Sequence, residues 1–310
     1  MLFLRTGLAL LLRTVQKRSF ESLVTAQWLT DRLDVSGADQ NKIRVLHVSW
    51  NGCRDYRESH VANALCFDGQ QCRDLQSPYK NMLPTKEYFA DFVSQLGVSN
   101  NTHVVVYDSS SKLPSLDVAC RVWWMFRVFG HDLCSVLDGG LFVWKTENRP
   151  VSSGDALDLP VRGNFAGQYR SELVVPFESV LKHQRDNFTK VKLLDSRFQQ
   201  RFVATQTSTK EDIPGHIRGA INLPMSQFLD PKTRTFKSAE KIRHEFQSVG
   251  LDINEPMISS CGTGIFAATL VFAAHRCGVD VPLYDGSWYE FVRRAPQTCL
   301  SCTEVREPKS

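Results

Sequence analysis

Apolar and polar positions follow the same succession twice along the chain. In the first half, residues 104–107 (VVVY) form a short continuous apolar run, of the length and composition of a buried strand. An apolar segment with helical spacing follows over 120–129, then Gly130, then a second short apolar run that ends in a turn at Asp138 and Gly139. In the second half the order returns: a short buried-strand candidate over 257–259, a helical segment over 267–276, Gly278, and a short run ending in a turn at Asp285 and Gly286. Upstream, residues 45–50 followed by His60 pair with residues 193–197 followed by His216. Landmarks repeated in the same order mark an internal duplication. Short strands alternating with amphipathic helices predict an α/β fold, each copy a mostly parallel sheet with helices on both faces. Residues 151–176, with Ser152, Ser153, Gly154, Pro160 and Gly163, break the pattern and read as a linker. The expected organisation is a domain over 21–150, that linker, a second domain over 177–300 and a polar tail over 301–310.

Composition fits a globular chain of two ordinary domains: 310 residues, 42% hydrophobic and 23% charged. The net charge of +4 is partly that of the first twenty residues, and the body of the chain carries no basic stripe, which argues against a nucleic-acid partner. Residues 1–20 hold Arg5, Arg13, Lys17 and Arg18 and no acidic residue around a short Leu-rich run. That is the composition of a mitochondrial targeting peptide, with a secretory signal as the second reading and a cytoplasmic location as the alternative. The apolar run is too short to span a membrane, and no membrane partner is expected. Nine scattered cysteines argue for a reducing compartment rather than a disulfide framework. The close pair Cys299 and Cys302 reads as two incidental thiols, since no second ligand pair follows it and no metal site is expected.

Chemistry concentrates at Cys261, where an expected strand ends and an expected helix begins, in the segment CGTGIFA over 261–267. Ligands bind at such strand exits in open parallel sheets. Gly262 and Gly264 let the backbone fold tightly, so that successive N–H groups point at one centre, and the following helix adds its positive end. A thiol in that cradle is expected to lose its proton more easily than a free cysteine, and the same cradle suits the outer sulfur of a persulfide. A phosphatase loop of the Cys-x5-Arg kind fails here, because the arginine position is occupied by Ala267. His60 and His216, equivalent in the two copies, read as structural hydrogen-bonding residues. Trp123 and Trp124 read as core or domain-interface residues, and Trp288 is open between core and site, since its turn is expected beside the Cys261 loop.

These segments, together with VWWMFRVFGH over 122–131, LDGG over 137–140, DSR over 195–197, PGH over 214–216 and YDGSW over 284–288, resemble the tandem rhodanese fold of thiosulfate and 3-mercaptopyruvate sulfurtransferases. The resemblance implies two rhodanese-like domains, the second catalytic and the first a structural relic. The first-domain loop around 109–115 agrees with this, having neither a cysteine nor a glycine pair. It also implies a sulfur carried as a persulfide on Cys261, a loop of Gly262, Gly264, Ile265 and Phe266 around it, and Thr263 assisting proton movement. Arg201 is then the donor-carboxylate ligand and Lys210 the nearest candidate for a second basic residue. No metal or organic cofactor is implied.

Gly262, Thr263 and Gly264 are similar to the mercaptopyruvate-preferring members, and an uncharged loop is a poorer trap for dianionic thiosulfate. The expected reaction moves sulfur from 3-mercaptopyruvate, with release of pyruvate, to a small thiol, thioredoxin or cyanide. The alternatives are a thiosulfate:cyanide sulfurtransferase and a catalytically weak persulfide carrier. The second alternative draws on Gln70 and Asn81, which stand where the mercaptopyruvate group has proton-handling residues, and on Phe266, a bulky ring at the expected pocket mouth.

Overall fold

The computed structural model describes residues 21–33, 43–109, 116–156, 160–205 and 213–301. In the first half these form β1 (Leu23–Val24), α1 (Ala26–Leu33), β2 (Ile43–Ser49), α2 (Arg54–Glu58), β3 (His60–Val61), β4 (Leu65–Asp68), α3 (Lys86–Gln95), β5 (His103–Tyr107), α4 (Asp117–Val128), β6 (Cys134–Leu137), α5 (Gly140–Thr146) and β7 (Val151–Ser152). The second half contains β8 (Val174–Val175), α6 (Phe177–Arg185), β9 (Lys192–Asp195), α7 (Gln199–Phe202), β10 (His216–Ile217), β11 (Ile221–Asn222), α8 (Ala239–Ser248), β12 (Met257–Ser260), α9 (Ile265–Arg276), β13 (Leu283–Tyr284), α10 (Ser287–Arg294) and β14 (Leu300–Ser301).

Two parallel five-stranded sheets result, ordered β1-β6-β5-β2-β4 and β11-β9-β12-β13-β8. Read from opposite ends, these orders are the same, so the duplication in the sequence is a duplication of topology. The expected strands at 104–107 and 257–259 are the central β5 and β12, buried over these residues because both their faces are covered, with β5 apolar there and β12 placing Ser259 and Ser260 after Met257 and Ile258. Each half also makes a small antiparallel pair that ties its end back to its middle, β3 with β7 and β10 with β14. Much of the segment before β8 lies along the first half: Gly163 and Phe165 donate to Ser94, and Gln168 and Arg170 to the carbonyls of Phe129 and Val128.

The centre of the molecule is the packing of α4 on α9. From Ala119 to Val128 every residue of α4 is buried, and α9 is buried from Ala267 to Ala274, so both helices are apolar nearly all round. One hydrophobic cluster runs through both and reaches each sheet. The edge of Trp123 meets Phe272 with ring centroids 4.7 Å apart, which makes Trp123 an interface residue, while Trp124 is buried in the core. At the far end Arg127 grips the Asp280 carboxylate through both terminal nitrogens, at 2.9 and 3.2 Å. Two backbone contacts are exchanged between the halves: Asp285 accepts from the Leu83 amide at 2.7 Å, and its counterpart Asp138 accepts from the Phe236 amide at 2.8 Å.

One cysteine expectation is corrected. Cys53 and Cys66 form a disulfide with their Cα atoms 6.2 Å apart. Cys66 lies on β4 beside His47 of β2, and Cys53 caps the start of α2 just beyond β2, so the pairing depends on strand adjacency that sequence spacing does not reveal. Cys72, Cys120, Cys134, Cys261, Cys277 and Cys299 are free, and Cys302 lies outside the described residues. No helix among the described residues is long and apolar enough to cross a membrane.

Candidate active site

Strand β12 delivers Cys261 to the C-terminal edge of the second sheet, and the chain turns through Gly262, Thr263 and Gly264 into α9. Gly264 caps that helix at φ 81°, and a Cβ there would lie 2.7 Å from the Asp285 carbonyl oxygen, so both backbone and space require glycine. The loop is held from outside by the first turn of α10. Trp288 donates its amide to the Cys261 carbonyl (3.0 Å), Tyr289 donates to the Gly262 carbonyl (2.9 Å), and the Cys261 amide donates to Ser287 Oγ (3.1 Å). With the first two loop carbonyls engaged outward, the amides of Ala267, Thr263 and Gly264 turn to the Cys261 sulfur.

The thiol expectation needs correction. Burial pushes the Cys261 thiol above its ordinary value and the Asp195 carboxylate adds to this, while the three amides pull it down without winning. The physical reason is that Cys261 is only 1% exposed, and removal from water penalises the anion more than the peptide dipoles favour it. The residue still opens onto a cavity of about 310 Å³, whose floor it forms with Gly262, Thr263, Ile265 and Phe266. That volume suits a small organic anion.

The walls come from both halves. Arg201, on the short helix α7, lines the cavity as expected, and so does Arg197, whose guanidinium is committed to the Asp195 carboxylate (2.6–3.0 Å) and the Gly215 carbonyl (2.9 Å). Phe266 stands edge-on to Phe198 with ring centroids 6.0 Å apart, an apolar strip on the same side. Opposite them stand Trp50, Lys80, Asn81, Asp117 and Val118 of the first half. The first domain is therefore no mere relic, since it builds a wall of the site. Asn81 donates its side-chain amide to Thr263 Oγ1 at 3.0 Å and accepts from the Trp50 indole at 3.2 Å, which fixes the amide's orientation. Asn81 is no base, but it leaves the Thr263 hydroxyl proton free to donate into the cavity. Gln70 is exposed on a turn and does not line the cavity. Lys210 lies outside the described residues.

Trp288 belongs to the site: it lines the cavity and its indole donates to the Ile213 carbonyl at 2.8 Å. His60 and His216 carry matching structural bonds, to the carbonyls of Tyr56 (2.8 Å) and Phe202 (2.9 Å), each stacked on the ring of the residue it bonds. In the first half the place of Cys261, directly after the central strand, is taken by buried Asp108. Sequence reasoning missed Lys80, Tyr289 and Arg293, which line the cavity with both cations against the Tyr289 ring, at 5.0 and 3.5 Å. Nothing in the local sequence marks Lys80, because its loop reaches the site only through the packing of the two halves.

Comparison with known proteins agrees with this construction. A model of the rhodanese-like domain matches residues 25–147 and again 178–294. The chain is 39% identical to human 3-mercaptopyruvate sulfurtransferase, covering 90% of this chain and 95% of that one. It is 41% identical to mouse thiosulfate sulfurtransferase, covering 94% and 97%. Among solved structures it is similar to SseA from Escherichia coli, whose title concerns the rhodanese fold and catalytic mechanism of 3-mercaptopyruvate sulfotransferases. There the TM-score is 0.73 at 29% identity, over 87% of this chain and 99% of that one. A family match in each half, and relatives of this identity along nearly the whole length, lead to one conclusion: the chain belongs to the rhodanese family.

Proposed function

We propose that the protein is a sulfurtransferase that takes a sulfane sulfur from 3-mercaptopyruvate onto Cys261 and passes it to a thiol acceptor, a small thiol or thioredoxin, or to cyanide. The observation that carries this reading is a cysteine at the floor of a small cavity with three backbone amides turned to its sulfur. Arg201 binds the donor carboxylate through paired hydrogen bonds. The Cys261 thiolate attacks the donor sulfur, the carbon–sulfur bond breaks, and its electron pair leaves as the enolate of pyruvate, which takes up a proton. Thr263, oriented by Asn81, supports that proton transfer from its side of the cavity. The amides of Thr263, Gly264 and Ala267 then face the persulfide anion, where fixed dipoles stabilise charge best. An acceptor thiolate attacks the outer sulfur and returns Cys261 to the thiolate. After incubation with 3-mercaptopyruvate, mass spectrometry is expected to find about 32 Da, one sulfur, added at Cys261. A mass gain confined to other cysteines refutes the assignment.

Thiosulfate as donor is the second reading. Lys80, Arg201 and Arg293 around the cavity support it, since they supply on the walls the positive charge that the loop itself lacks. Relatives carrying both activities in their names leave the ranking to kcat/KM for the two donors. The basic, Leu-rich residues 1–20 support import into the mitochondrion rather than a cytoplasmic location.

A further inference from the structure

Arg121 is a charged residue in the middle of an apolar helix, and it is only 1% exposed. A guanidinium so placed needs partners for its charge, and both terminal nitrogens have them while Nε has none among the described residues. Its partners come from both halves: Asp285 and Gly264 lie in the second, beside the Cys261 loop, and Asn81 lies in the first, on the cavity wall. One terminal nitrogen lies 2.7 Å from Asp285 Oδ1 and donates to the Gly264 carbonyl at 3.3 Å, and the other donates to the Asn81 carbonyl at 2.7 Å. The face of the group lies over the Trp124 ring, 4.5 Å from its centre. Gly264 is the hinge between the Cys261 loop and α9, and Asn81 is the residue that orients Thr263. Asn81 also has a left-handed backbone, φ 62°, which an external bond to its carbonyl helps to hold.

The pseudo-symmetry of the molecule shows that docking the halves does not demand this arginine. Asp285 and Asp138 exchange equivalent bonds with Leu83 and Phe236. On the Asp285 side α4 presents Arg121, four residues after its start; four residues after the start of α9 stands uncharged Thr269. The arginine is therefore present on the side that carries Cys261, and its equivalent is absent from the side that carries Asp108.

We propose that Arg121 is a positioning residue of the sulfur-transfer site: from the first domain its fork holds the Gly264 and Asn81 carbonyls at a fixed separation, and so sets the Cys261 loop, with its Thr263 hydroxyl, against Asn81. The inference rests on the reading of Cys261 as the sulfur carrier, so one arm of the test needs no donor. Lysine in place of Arg121 keeps a cation facing Asp285 but cannot bridge two carbonyls and a carboxylate. In the full-length protein, Arg121→Lys is expected to lower kcat by about tenfold or more, with KM changed less than about threefold, the pattern of a misplaced transition-state contact. Alkylation of Cys261 by iodoacetamide, which requires no sulfur donor, is expected to change in rate by at least about threefold as the loop amides lose their aim. Arg127→Lys, at the other interdomain ion pair, is the control and is expected to lower the melting temperature with kcat unaltered. Wild-type kcat and alkylation rate in Arg121→Lys overturn the proposal, as does an equal kcat loss in Arg127→Lys. If wild type takes no sulfur from either donor, the proposed function fails and the alkylation arm alone decides for or against Arg121.

Discussion

Burial and peptide dipoles pull the Cys261 sulfur in opposite directions, and burial prevails. The sign has a consequence for pH. A thiol held above its ordinary value stays neutral where a free cysteine is half ionised, so the reactive thiolate grows only at higher pH. Alkylation of Cys261 is expected to keep rising above about pH 8.5, the value of a free cysteine. A rate already level at neutral pH would show that the amide cradle outweighs desolvation. Residues of the local segment 261–266 were legible in the sequence because chemistry and backbone geometry lie within one loop. Asn81 was legible only as the loss of a base. Its use, a hydrogen bond to Thr263 across 182 positions of chain, exists only once the halves are packed. The Cys53–Cys66 bond was hidden by a contact inside the first half, since it follows from β2 lying beside β4.

The long apolar helices and central strands carry the fold, and these were the elements most visible in the sequence. A continuous apolar run covered on both faces, as over 104–107 in β5, announces itself by composition alone. Two-residue strands such as β8, β10 and β14 do not, because their pairing depends on distant partners rather than on local propensity. The packing of α4 on α9 is the element-scale feature with the largest energetic consequence. Trp123 is 1% exposed between the two helices, so Trp123→Ala leaves a cavity at the seam and is expected to cost about 3–5 kcal/mol in urea unfolding. A loss below about 1 kcal/mol would mean that the seam repacks.

At the scale of the molecule, two halves of one design share one cavity, which neither half could enclose alone. The duplication and the fold class were plain in the order of sequence landmarks, but the contribution of the first half was not, because its site residues reach the cavity from loops and from the first turn of α4 without a motif. Destination is the other whole-molecule property, and the proposed signal for it, residues 1–20, lies outside the described residues. A fluorescent fusion of the full chain is expected in mitochondria and the same fusion lacking residues 1–20 in the cytosol; identical distributions would remove the targeting reading.

The exchange of matching bonds between Asp285 and Leu83 on one side, and Asp138 and Phe236 on the other, has the form of an isologous dimer contact, in which each subunit gives what it receives. In a true dimer any change in one subunit is made in both, so a lost nucleophile would disable every site at once. Covalent fusion lifts that constraint: one copy can carry an aspartate where its twin carries the thiol, and still supply the surface on which its twin's chemistry leans.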